Sequence, residues 1–314
     1  MVESMNNISI QRAPIKKTWL KKHYPQLISF IILLIITFFM LIPIFWGIVG
    51  SFRSSADFVK DPSSFFATSF SEISFKGYEE LFSHATYNPE DPNSYYPIWN
   101  WLLNSLIVAL GGTLLYLVIA SLAAYAFVFL DFKYNNLIFA ILLGTMTIPG
   151  IISMTPQLIN MNLLGLYGQI LGLIVPSLGG VYGVFLIKQF FTSIPKDLVE
   201  NARMDGASNP KIFLEVVLPL GKSALFVQGL FGFMSAWNDI QWTQLVVGWD
   251  TSASGRLKWT LAYGLKYISN STNSADLIPL SLASAVITMI PIFIVYMIAQ
   301  SKIIEGVANT GVKK

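Results

Sequence analysis

"IPKDLVENARMDGASNPKIFLEVVLPL", residues 194 to 220, is a charged, turn-containing stretch set between long apolar runs. It is too polar and too irregular to cross a bilayer. Pro195 suits a first helical turn, where its missing N–H costs nothing. Asp197 lies where the positive end of a helix dipole favours an anion. The pattern predicts a helix over 195–205 of about three turns, roughly 16 Å long. Gly206 is the natural residue for a left-handed C-terminal cap. Ser208 can cap a second helix, with Pro210 in its first turn and Ile212, Phe213, Val216 and Val217 as its apolar side. Pro219 is expected to end that second helix. The first helix is expected to expose Glu200, Arg203 and Asp205, with Leu198 and Ala202, four apart, on one face. Ala202 and Gly206 leave room for another protein to approach closely. The plainer alternative is an ordinary solvated loop.

The flanking sequence says what such a stretch is embedded in. The chain of 314 residues is 54% apolar and 12% charged. Soluble domains carry roughly 25% charged residues, so half that value indicates a polytopic membrane protein. There are no cysteines and only two histidines, His23 and His84, which lie far apart. A disulfide framework, a Cys-ligated zinc site and a His-based metal site are therefore not expected. The net charge of +3 is too small and too dispersed for nucleic acid.

A bilayer core of about 30 Å needs roughly 20 helical residues. Six stretches qualify, at approximately 27–50, 99–126, 135–156, 169–191, 222–245 and 277–299. The first carries no charge, is too long for a signal-peptide core and has no small-residue cleavage site after it, so it reads as an uncleaved span. Pro43, Pro176 and Pro291 fall within spans, which they bend without abolishing. With the N-terminus inside, 14 of the 20 basic residues fall on the inner side. That asymmetry predicts cytoplasmic termini, which agrees with an even number of spans. The stretch 194–220 then lies in the cytoplasm, between the fourth and fifth spans. Two larger outer loops, 52–98 and 246–276, read as ordered lids or docking surfaces. The expected organisation is a cytoplasmic segment 1–26, a six-span domain 27–299 and a cytoplasmic tail 300–314.

Other candidate features weigh less. "GKS" at 221–223 invites a phosphate-loop reading, but the glycine required five residues earlier is Val216 and no strand precedes it. The chain is thus expected to bind no nucleotide, and energy must come from a partner. Ionisable groups within spans are nearly lacking. Lys188 can snorkel from the inner end of span four. Asp239 reads as a structural hydrogen-bond acceptor near the outer interface rather than a substrate ligand. Gly168 with Gly172, and Gly179 with Gly183, offer close-packing faces, within the chain or toward a second subunit. Tyr95, Tyr96, Trp99, Trp101, Trp242, Trp249 and Trp259 read as an interfacial belt. No substrate ligand is assignable.

The stretch also carries a resemblance. "ENARMDGAS", with "LP" twelve residues after its Gly206, resembles the EAA signature of permeases of binding-protein-dependent ABC importers. Glu200, Ala202, Asp205, Gly206, Leu218 and Pro219 are in step with that signature, and Asn201 departs from it where the family usually has Ala. "NSLIVALGGTLLYLVIASLAAYAF" (104–127), "PSSFF" near residue 62 and "SAWNDIQW" (235–242) are similar to the carbohydrate branch, most of all to the second permease of maltose-type importers. The tail "GVANTGVKK" resembles that subunit's tail at Gly311, Val312 and Lys313. The resemblance implies an all-α, type I ABC importer permease fold with six transmembrane helices in a bacterial or archaeal cell membrane. It implies that 195–219 forms the coupling helices, seated in a cleft of a cytoplasmic ATPase, and that the tail reaches between two ATPase subunits. The implied partners are a second homologous permease, two ATPase subunits that hold ATP and Mg, and an extracytoplasmic sugar-binding protein. The rival readings are a secondary carrier for a small polar solute, which would need deep coupling carboxylates or broken helices in repeated halves, and a non-transport docking subunit.

Overall fold

The computed structural model describes residues 15–86, 95–271 and 278–311. Among them the chain is helical throughout, with one isolated antiparallel bridge between Arg53 and Ile73 and no strand. The first helix, α1, runs Ile15–Gly50. Its apolar part, Gln26–Gly50, buries none of its most hydrophobic window inside the chain. Phe30, Leu33, Phe39 and Met40 are each more than 60% exposed. In water that stripe would be untenable; against lipid it needs no cover.

Two short helices follow, α2 (Ser55–Lys60) and α3 (Lys76–Ser83). The long helix α4 spans Ile98–Phe129 and widens to a π-turn at Ile107–Gly111. Four helices are long and apolar enough to cross a membrane: Gln26–Gly50, α4, Asn209–Trp237 and Ile278–Gln300. The count reaches six when two bent pairs are each taken as one span.

A bend was expected in the fourth span, at Pro176, but not in the third. The stretch expected as one span over 135–156 is two helices, α5 (Asn135–Thr145) and α6 (Gly150–Leu163), meeting at 100°. Pro149 breaks it, since proline donates no hydrogen bond and drives the residue before it out of the helical region. The Thr145 and Thr147 hydroxyls bond back to the carbonyls of Leu142 and Gly144 at 2.7 and 2.8 Å, offering those carbonyls a local partner at the break. The fourth expected span is α7 (Leu171–Gly179) and α8 (Val181–Thr192), bent by 46° beside Pro176 and the Gly179–Gly180 pair.

After the short helix α9 (Lys196–Met204), α10 runs unbroken over Asn209–Trp237. Pro219 therefore does not end the second helix of the polar stretch. The helix passes through it by widening to a π-turn at Phe213–Val217, which makes room for the ring against the carbonyls one turn back. The fifth expected span correspondingly starts earlier than 222 and stops at Trp237, ahead of the short helix α11 (Gln241–Val246). The chain closes with α12 (Leu261–Ser271) and α13 (Ile278–Gly311).

Two apolar clusters hold the bundle. One, at the end opposite α9, centres on Trp101, Trp237, Trp242 and Trp259. Trp101 and Trp259 are fully buried and stacked at 5.9 Å. Their indole N–H groups donate to the carbonyls of Arg256 and Val247 at 2.7 and 3.1 Å, and that of Trp242 to Gly172 at 2.9 Å. These three tryptophans are core, not belt: a buried indole that finds a carbonyl contributes both its area and its hydrogen bond. Of the expected belt tryptophans, Trp99 and Trp249 are the exposed ones, at 63% and 59%.

One glycine of each pair, Gly172 and Gly183, packs tightly within this chain, whereas no atom lies within 4 Å of a Cβ on Gly179. A Cβ on Gly183 would lie 1.6 Å from the Tyr116 hydroxyl, and one on Gly172 would lie 2.4 Å from the Leu166 carbonyl. "GKS" falls inside α10, where Gly221 lets the Phe191 ring approach so closely that a Cβ there would lie 2.5 Å from it. No phosphate loop exists there.

Candidate functional site

The second cluster joins the polar stretch to the membrane helices. Val199, Ile212, Phe213 and Val217 bury against Tyr125 and Phe129 at the end of α4, and against Ile187 and Phe191 at the end of α8. Burying Val199, which is 2% exposed, contributes about 1.5–3 kcal/mol. The expected face of Leu198 and Ala202 is not the buried one. Leu198 points outward at 45% exposure, Ala202 is half-buried, and Val199 faces the bundle. The apolar position one residue along decides the orientation of the helix.

Around Gly206 the chain builds a Schellman cap. The Ala207 N–H donates to the Ala202 carbonyl and the Gly206 N–H to the Arg203 carbonyl, both at 3.0 Å. Gly206 has φ +83°, so the left-handed turn expected of it is formed. Ser208 occupies the N-cap of the following helix, but its side chain makes no capping bond.

Glu200, Asn201, Asp205 and Pro219 are exposed, and Leu218 is half-buried. Asp205 and Gly206 line a groove of about 410 Å³ with Ala202, Ser208, Lys211 and Glu215. Met204, 78% exposed, stands beside it. The stretch thus presents carboxylates, small residues and two bare apolar side chains on one side, and is fused to the bundle on the other. The tail residues separate differently. Gly311 is the last residue of α13, whereas Val312 and Lys313 lie outside the described residues.

Arg203 is exposed, as expected, and its guanidinium also donates to the carbonyl of Phe129. That carbonyl is at the last turn of α4, where no intrahelical donor remains. Tyr125 adds a longer bond from its hydroxyl to Asn209 Oδ1 at 3.4 Å. Replacing Arg203 by Met is expected to destabilise the protein by about 0.5–1.5 kcal/mol, since solvent screens the exposed guanidinium. Thermal unfolding of the detergent-solubilised protein checks it, with Arg203→Lys expected to recover part of the loss.

A second feature lay outside the sequence reading. A cavity of about 490 Å³ opens among α4, α7, α10 and α11, within the range of small-ligand sites. The Gln228 amide donates to the Tyr116 hydroxyl at 2.6 Å. Gln228 Oε1 and Thr113 Oγ1 are buried with no partner among the described residues, although each such group costs about 1–3 kcal/mol. Asp239 reaches the same cavity while accepting from the Trp242 N–H at 3.0 Å. The acceptor role expected of it is present. Burial pushes its carboxyl above the ordinary value of 3.8, with the N–H groups of Trp242 and Gln241 pulling the other way. The nearest signal in the sequence was the set of polar residues within spans two and five, which periodicity alone does not pair. Lys188 lies over the Phe139 ring at 4.1 Å, so its stem stays on the bundle. Among the described residues no group of His, Cys, Asp and Glu is arranged to hold a metal ion.

Comparison with known proteins places this geometry among relatives. A family model described as "Binding-protein-dependent transport system inner membrane component" matches residues 116–308. The chain is 28% identical over 305 residues to the arabinooligosaccharides transport system permease protein AraQ of Bacillus subtilis (strain 168), covering 93% of this chain and 99% of that one. It is 26% identical to the diacetylchitobiose uptake system permease protein NgcG of Streptomyces coelicolor, over 90% of this chain and 87% of that one. With the sn-glycerol-3-phosphate transport system permease protein UgpE of Pectobacterium atrosepticum it shares 30% identity over 69% and 75%. Among solved structures, a chain of a bacterial ABC transporter involved in the import of the acidic polysaccharide alginate superposes with a TM-score of 0.71 at 22% identity, covering 90% of this chain and 97% of that one.

Proposed function

The chain belongs to the family of binding-protein-dependent transport system inner membrane components, a multi-pass permease of the cell membrane rather than an enzyme, and from that premise we propose that it forms half of the pathway of an ATP-driven sugar importer. In this reading six spans cross the membrane, each bent pair counting as one, with both termini in the cytoplasm. Residues 1–26 and 300–314 are the cytoplasmic ends and 27–299 the permease domain. A second homologous permease supplies the other half of the pathway. Two cytoplasmic ATPase subunits hold ATP and Mg and carry out hydrolysis, and an extracytoplasmic binding protein delivers the solute. An oligosaccharide is the favoured cargo, in line with AraQ and NgcG.

The observation that carries the coupling part is mechanical. The exposed side of 195–208 bears Glu200, Asp205 and Met204, while its other side is bonded and packed onto the ends of α4 and α8. A partner that moves this stretch moves those helices with it. Glu200, Asn201, Ala202, Asp205, Gly206, Leu218 and Pro219 are the proposed ATPase-coupling residues, and Gly311, Val312 and Lys313 the tail contact. ATP closure of the ATPase pair would shift these helices and open the pathway outward; hydrolysis would reset it. Nucleotide can bias the two states only if 195–219 binds the ATPase differently in each.

The test is a reconstituted complex in proteoliposomes. Solute-loaded binding protein is expected to stimulate ATP hydrolysis, and sugar uptake to require ATP. Uptake driven by a proton gradient without ATP would replace this reading by a secondary carrier, and no flux under either condition would leave a docking subunit.

A further inference from the structure

We propose that the segment after α1, from Phe65 to Phe75, is an aromatic foot resting in the boundary layer of the bilayer, and that the groove behind it takes a phospholipid acyl chain. The proposal needs only the membrane placement of α1 and uses no part of the sugar-import reading.

Depth is set by α1. Its apolar part has 25 residues, about 37 Å at the helical rise, against a hydrocarbon core of about 30 Å. Phe45 stands five positions before the end of that part. It therefore lies within about 8 Å of the core boundary, wherever the surplus length falls. The Phe66 ring meets the Phe45 ring edge-on, with centroids 6.0 Å apart. Both rings are otherwise open, at 62% and 48% exposure. The bare, lipid-facing side of α1 thus continues onto Phe66.

The rest of the segment suits the same layer. Phe70 is 93% exposed, at the start of a short 3₁₀ turn, and Phe65, Ile73 and Phe75 are exposed as well. Soluble surfaces avoid patches of this kind. Apolar side chains of elements that lie on a membrane bury about 5–10 Å into the headgroup and acyl boundary. Glu72, the one charged residue of 65–75, is paired with Lys60 at 2.8 Å, which lowers the cost of holding it there.

Between the end of α1 and residues 66–73 lies a groove of about 460 Å³, lined by Ile48, Val49, Phe52, Phe66, Phe70 and Ile73. The polar side chains that also reach it are already engaged: Arg53 with Asp57 and two carbonyls, Thr68 with Asp57, and Ser69 with Ser71. A polar ligand would have to compete with those bonds, whereas an acyl chain needs none. The groove is also held in shape. The Ser54 N–H donates to the Glu72 carbonyl and the Ser74 N–H to the Phe52 carbonyl, both at 2.8 Å, beside the Arg53–Ile73 bridge. Residues 66–73 are thereby fastened against α1 and cannot trail away from it.

The chain has no cysteine, so one introduced thiol marks this subunit at one place. Phe70→Cys and Glu79→Cys, each carrying a fluorophore, are compared in the assembled complex with otherwise cysteine-free subunits. The vesicles are phosphatidylethanolamine and phosphatidylglycerol, with or without a phospholipid bearing a nitroxide near the top of its acyl chain. Glu79 is exposed on α3 and serves as the water-facing reference. The label at 70 is expected to be quenched about twofold or more by the nitroxide lipid, as insertion to about 5–10 Å requires. The label at 79 is expected to stay bright with that lipid and to be quenched by iodide in the water. Phe66→Cys, one ring nearer α1, is expected to be quenched by the nitroxide at least as strongly as the label at 70, and gives a second, independent position. Absence of nitroxide quenching at both 66 and 70 would overturn the lipid contact. So would a label at 70 that iodide reaches until the extracytoplasmic binding protein is added, which would make this face a docking surface for that protein. ATP-driven uptake is read separately, so failure of the importer reading and failure of the foot are distinguishable.

Discussion

Replacing Arg53 by Ala is expected to destabilise the segment after α1 by about 3–5 kcal/mol, the usual cost of stranding one partner of a buried ion pair. Arg53 and Asp57 are 1% and 0% exposed, with Nε to Oδ2 at 2.6 Å. The guanidinium also donates to the carbonyls of Ser64 and Asp61, at 2.8 and 2.7 Å, and lies 4.2 Å over the Phe58 ring. Asp57 accepts on its other oxygen from the Thr68 N–H, at 3.1 Å, and from the Thr68 hydroxyl. One arginine thus ties residues 53 to 68 into a knot whose every arm is lost together. Thermal unfolding of the purified protein, with limited proteolysis between 55 and 75, measures the effect. A shift no larger than that of Lys60→Ala, which removes only an exposed pair with Glu72, would refute it.

The pH dependence follows from the same knot. Burial alone would raise the Asp57 carboxyl, but the bonds from Thr68 and Arg53 outweigh it and hold the group below its ordinary value of 3.8. A depressed folded value contributes stability that is complete above the unfolded value and is lost as pH falls through the folded one. Stability of this segment is therefore expected to hold down to about pH 4 and to fall below it, with Asp57→Asn removing that dependence.

Gly206→Val is expected to reduce ATP-driven uptake at least tenfold, roughly 1.4 kcal/mol of coupling, in a complex that still assembles. No atom lies within 4 Å of where its Cβ would be, so the penalty comes from the backbone alone. At φ +83° a non-glycine residue is strained by about 1–2 kcal/mol, and a β-branched one is the worst case. The strain is relieved by turning α9 away from the Schellman geometry, which moves Glu200 and Asp205 relative to α4 and α8. Gly206→Asn, which tolerates this region better, is expected to keep most of the activity. Normal assembly with wild-type uptake in the valine variant would remove the coupling-helix assignment.

Some of this was legible in the residues and some was not. The left-handed turn at Gly206, the short helix before it and the apolar stretches of the spans are local properties: composition, a period of 3.6 and one backbone angle are enough. The bend at 146–149 is also local, through Pro149, but length and hydropathy outweighed it in the sequence reading. Pro219 misled in the opposite sense, because a π-turn absorbs a proline that pattern rules treat as a stop. The burial of Trp101, Trp242 and Trp259 was misread because an indole near a span end suits both a membrane interface and a core, and only its neighbours decide between them.

By itself the sequence determined that this is a polytopic membrane protein with a stiff, glycine-turned polar stretch between apolar helices, since those features depend on residues within a few positions of each other. Only the tertiary structure decided what that stretch is fastened to and which polar groups the spans bring together. Arg203 meets a carbonyl 74 residues away, and Gln228 a hydroxyl 112 residues away. Pairings at such separations leave no local trace, because packing of whole helices creates them.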